Sequence, residues 1–126
     1  MILVVVEAGA PDRASEALRA AIGLGLRGDP VEVLLTGAAA ALAGGGDARV
    51  ERALGTLAEL GRPARVAGPD EVAARIAGAR AVELWTDGAA PASARRVHVG
   101  GGPGRPVDAA DLVAQILASD GPIVVR

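Results

Sequence analysis

Five consecutive apolar residues, "ILVVV" at 2–6, constrain this chain more than any other feature. A run that is apolar throughout and mostly β-branched, with no polar alternation, suits a strand covered on both faces rather than one with a wet side. Such strands belong to parallel sheets enclosed by helices, and the rest of the chain alternates accordingly. "VEVLL" (31–35) and "ARVA" (64–67) read as further strands, and "PIVVR" (122–126) as the closing one. "AVELWTDG" (81–88) reads as a strand or an extended segment, and "RRVHVG" (95–100) as the better strand of the two.

Helical patterns lie between them. After "EAGAPD" (7–12), residues 13–28 carry an apolar stripe of Ala17, Leu18, Ala21, Ile22 and Leu24 or Gly25. Asp12 or Ser15 is available as its cap and Gly28 can close it. "AAAALAGGG" (38–46) suggests a short helix running into a glycine turn. Residues 47–61 form a well-marked helix with Asp47 as cap, Val50, Leu54, Leu57 and Leu60 as the buried stripe, and Gly61 as terminator. Pro69 or Asp70 opens a helix over 69–78. The last helix, 108–121, turns Leu112, Val113, Ile116 and Leu117 inward. The expectation is a single α/β domain over 1–126, a three-layer α/β/α sandwich. Its mainly parallel five-stranded sheet has residues 2–6 in a central strand. Strand order is not readable from the pattern.

Composition narrows function. At 126 residues there is one domain and one core, and Trp85 is the only aromatic residue available to it. A net charge of −2 and the lack of aromatic platforms argue against nucleic-acid binding. All thirteen basic residues are arginine, which reads as coding bias or as arginine-based anion recognition. Without cysteine there is no disulfide, thiolate metal site or thiol nucleophile. The opening apolar run is short and followed by Glu7, unlike a secretion signal, and nothing approaches the ~18 apolar residues of a membrane span. A cytoplasmic protein is expected, without membrane contact.

The order and spacing of "ALRAAIGLGLRGDPVEVLLTGAAAALA" (17–43), "RALGTLAELGRPARVAG" (52–68) and "DLVAQILASDGPIVV" (111–125), together with the leading strand, resemble the DsrE/DsrF-like family. That family includes the sulfur-relay subunits related to DsrE, DsrF, DsrH and TusD, TusC, TusB. The resemblance implies an α/β/α sandwich that assembles, as a homo-oligomeric trimer or dimer or as a hetero-oligomer with related subunits. It also implies, in catalytic members, a persulfide-bearing cysteine in the loop after the third strand. Here that loop holds Ala67 and Gly68. Neither has a sulfur to be attacked and released, so the implied role is a non-catalytic structural or binding subunit near sulfur relay.

The residues themselves offer little chemistry. Glu7 ends the first strand, and the helix that follows could turn backbone amides toward an anion. "AGGG" (43–46) and "GGGPG" (100–104) lack the setting of a phosphate loop. His98 is the only histidine, too little for a metal site without a carboxylate cluster, and no serine sits in a nucleophile elbow. No metal or cofactor motif is present. Trp85 reads as core packing or a subunit contact, with stacking on a ligand as the alternative. Arg95 and Arg96 could meet Asp87 or a neighbouring subunit. The edge formed by Glu7, Gly9, Thr36, Gly37, Ala67 and Gly68 is a candidate hollow for a small anionic or polar ligand, the alternative being that loops or another subunit fill it. The rival to the DsrE-like reading is a small-ligand or nucleotide-binding module of the universal-stress or electron-transfer-flavoprotein type. A third reading is an enzyme using Glu7, Asp87 or His98 for acid–base work.

Overall fold

A computed structural model describes residues 1–87 and 123–125. The elements in order are β1 (Ile2–Val6), α1 (Pro11–Leu26), β2 (Val31–Leu35), a 3-10 segment (Gly37–Gly44), α2 (Ala48–Glu59), β3 (Arg65–Val66), α3 (Pro69–Gly78), β4 (Ala81–Trp85) and β5 (Ile123–Val125). The sheet order is β3-β2-β1-β4-β5 and each of its four pairings is parallel. The apolar run therefore occupies the central strand, paired Ile2 to Val31 on one side and Ile2 to Ala81 on the other.

Alternate side chains of β1 go to opposite faces. Val4 and Val6 join Val33, Leu35, Leu18, Val50 and Leu57 beneath α1 and α2. Leu3 and Val5 join Leu34, Val72, Ile76, Val82 and Leu84 beneath α3. Both faces are dry, and burying each such side chain contributes about 1.5–3 kcal/mol. The layering follows from handedness. Strand order runs outward from β1 through β2 to β3 and then returns past β1 to β4. Right-handed crossovers then put α1 and α2 on one face and α3 on the other.

Local detail departs from the sequence pattern in three places. Helix α1 starts at Pro11, whose fixed φ and missing N–H suit a first helical position, and its N-cap Ala10 has no side-chain cap of its own. Asp12 and Ser15 lie inside the helix instead. In α2 the buried stripe is Val50, Ala53 and Leu57, with Leu54 half-buried. Leu60 is the C-cap and 38% exposed, because the helix ends before it and Gly61, at φ 74°, turns the chain away. Finally, β3 is only two residues long, an exposed edge held by ion pairs. Arg65 pairs with Glu71 of α3 and, at 3.6 Å, with Glu32 of β2, which also meets Arg75 at 3.2 Å. The neighbouring Glu71 carboxylate raises the Arg65 guanidinium above its ordinary pKa.

Asp47 does cap α2, accepting from the amides of Arg49 (3.0 Å) and Val50 (3.1 Å). The Val50 amide first, and then the Arg49 side chain, lower its pKa. The expected strand at 95–100 and helix at 108–121 lie outside the described residues. No helix among the described residues is long and apolar enough to cross a membrane.

Candidate functional site

Strand order reverses between β1 and β4. One crossover leaves β1 toward β2, while the chain re-enters the sheet on the other side of β1. In open parallel sheets the crevice beyond the carboxyl ends at such a reversal is where ligands bind. Here it is formed by Glu7–Ala10 after β1 and Trp85–Asp87 at the end of β4.

The two exits are fastened together. The amides of Glu7 (2.8 Å) and Ala8 (3.1 Å) both donate to the Trp85 carbonyl. The next two amides, Gly9 (2.8 Å) and Ala10 (3.2 Å), donate to Oδ2 of Asp87. Asp87 thus fastens, from 77 and 78 residues away, the two residues that lead into α1. A carboxylate at a helix N-terminus is favourable on charge grounds as well. Arg13, in the first turn of α1, reaches back over this crevice. Its guanidinium lies 5.5 Å from the Trp85 ring centroid and donates to the Thr86 carbonyl at 3.4 Å. The indole Nε1 donates to Oε1 of Glu83 at 2.8 Å. The crevice lining is buried: Glu7 and Thr86 are each 3% exposed, and Trp85, in the same core cluster as α1 and α2, is 5% exposed.

The six residues expected to line a ligand hollow form one row along the carboxyl edge. The ladder continues past the strands to link them, from the Thr36 amide to the Val6 carbonyl and from the Ala67 amide to the Leu35 carbonyl, both at 2.9 Å. Thr36 and Ala67 are buried, Gly37 has a φ of 56°, and Gly68 is the exposed N-cap of α3. Between the first and second exits the 3-10 segment packs closely: a Cβ on Gly9 would lie 2.8 Å from the Cβ of Ala38. Arg95, Arg96 and His98 lie outside the described residues.

Sequence reasoning missed Arg13. Its signal was available: in a parallel sheet the third residue of the helix after β1 sits at the carboxyl edge, within reach of the strand on β1's other side. Chemically, the edge gathers two carboxylates, a hydroxyl and a stacked cation, with Asp87 and Arg13 engaged as described. No group of three or more His, Cys, Asp or Glu with metal-site spacing occurs among the described residues.

No family model and no curated protein matches the chain. Among solved structures, a universal stress protein from Archaeoglobus fulgidus aligns over 99% of this chain and 97% of its own, at 19% identity and a TM-score of 0.44. The fold itself is established by strand order and pairing: a parallel α/β sheet with helices on both faces.

Proposed function

We propose that the chain is a small-ligand-binding α/β module whose site is the crevice between the exits of β1 and β4. The observation that supports it is the reversal of strand order at that point, with Glu7, Thr86, Asp87 and Arg13 gathered around it. The chemistry favours a neutral ligand rich in hydroxyl or amino donors, of which nucleosides are the natural class, because carboxylates dominate the lining and repel a phosphate. The start of α1 is a poor anion site for a ligand, since Pro11 has no N–H and the Asp87 carboxylate already lies beside it.

Trp85, the single tryptophan, reports on this crevice. Titration with adenosine should give a saturable change in its emission, and ATP a weaker one. Glu7→Gln should weaken that response about tenfold, the scale of one lost charge-assisted hydrogen bond. Absence of a saturable response to adenosine, an ATP response as strong as adenosine's, or an unchanged response in Glu7→Gln refutes the reading.

A second reading is a DsrE-like assembly subunit, supported by Ala67 and Gly68 standing between β3 and α3, where a relay member of that family carries its cysteine. It requires that the chain take up no persulfide from a sulfur donor by mass spectrometry, and that it sediment as a dimer, trimer or mixed complex rather than at 12.4 kDa.

A further inference from the structure

Helices α1 and α2 pack side by side on one face of the sheet, and their outer sides leave a groove of about 280 Å³ between them. Two stripes at helical spacing line it: Ser15, Arg19 and Ile22 from α1, and Arg49, Arg52 and Thr56 from α2, with Ala53 at its floor. Three arginines converge there in a chain whose net charge is −2.

Their roles differ. Arg49 is held at the mouth by Asp12 at 2.6 Å and Asp47 at 3.3 Å, and these two carboxylates offset its charge. Both raise its pKa above the ordinary value, Asp12 foremost. Arg19 and Arg52 make no ion pair among the described residues, so the groove carries an uncompensated positive charge from two guanidinium groups. The Thr56 hydroxyl donates to the Arg52 carbonyl at 3.1 Å, which leaves its lone pairs and the Ser15 hydroxyl as further polar groups along the wall. Ile22 and Ala53 supply an apolar patch beside the charges.

We propose that this groove binds a small phosphate ester, its phosphoryl group between Arg19 and Arg52 and its carbon portion on Ile22 and Ala53. Guanidinium groups meet phosphoryl oxygens through paired, charge-assisted hydrogen bonds, a geometry lysine does not reproduce. The groove starts at Ser15, two residues beyond Arg13, and runs along the outer side of the helix layer away from the β1–β4 crevice, and the proposal stands apart from the ligand assigned there.

The test is an amide chemical-shift titration of the full chain with phenyl phosphate, with inorganic phosphate in parallel. Saturable shifts should centre on residues 15–22 and 49–56, and the ester should bind more tightly than the inorganic ion. Arg19→Gln and Arg52→Gln, both at exposed positions, should each weaken phenyl phosphate about tenfold. Arg27→Gln removes the same charge from a side chain 74% exposed at the far end of α1, and should change affinity less than about twofold. Absence of saturation, shifts centred on Glu7 and Asp87, equal affinity for the two probes, or an Arg27→Gln effect as large as the others overturns the proposal.

Discussion

Replacing Asp87 with alanine tests the fastening between β4 and the start of α1. One oxygen accepts two amides, Gly9 at 2.8 Å in a part-buried setting and Ala10 at 3.2 Å in an exposed one. Water can replace the carboxylate at the exposed amide, so that bond contributes little. The part-buried amide loses a charge-assisted bond, for which about 1.5–3 kcal/mol is typical. Loss of the favourable charge at the helix terminus adds about 0.3–1 kcal/mol. The sum is about 2–4 kcal/mol, and at ~2.1 cal/mol/K of unfolding entropy per residue a 126-residue domain loses about 8–15 °C in Tm. Asp87→Asn keeps an acceptor and should recover roughly half of it. Urea unfolding followed by circular dichroism gives the stability, and hydrogen exchange should show protection lost first at Gly9 and Ala10. A Tm within about 2 °C of the parent for Asp87→Ala refutes the fastening role, since that limit lies well below the effect of one such bond.

Gly9→Ala places a Cβ 2.8 Å from that of Ala38 and should lower stability by about 1–3 kcal/mol through overpacking, measured by the same urea transition. Leu57→Ala empties a fully buried position beneath α2 and should cost about 2–5 kcal/mol, with an unchanged slope against urea. Asp47 has its folded pKa lowered below the ordinary 3.8, so its contribution is complete above that value and is lost as pH falls through the folded one. In acid titrations Asp47→Asn should therefore show a smaller fall in stability below about pH 4 than the parent.

The fold was legible because apolar runs report burial on both faces, and 2–6 could belong only to an enclosed strand. Asp47 and Gly61 marked the ends of α2 because capping and chain reversal are local chemistry. The candidate site was half legible. Glu7 and Gly9 were found at the exit of β1, but the pairing of that exit with β4 as well as with β2 depends on strand order. Strand order is a long-range property that hydrophobic pattern does not carry. The partnership of Asp87 with Gly9 and Ala10 is lost to sequence reading for the same reason. Leu60 misled because periodicity does not reveal where a helix stops.

The fastening of residue 87 to residues 9 and 10 also sets an order of events during folding. Contacts across so many residues form late, after the loop-closure entropy has been met. Until β4 docks, a nascent chain has Gly9 and Ala10 without their acceptor, and β1, paired only with β2, keeps one open side of five apolar residues. An exposed edge of that kind is a template for pairing with other chains. The interval between synthesis of β1 and arrival of β4 is therefore when this protein is most prone to aggregate, and the strand that shapes the crevice is also the one that ends that interval.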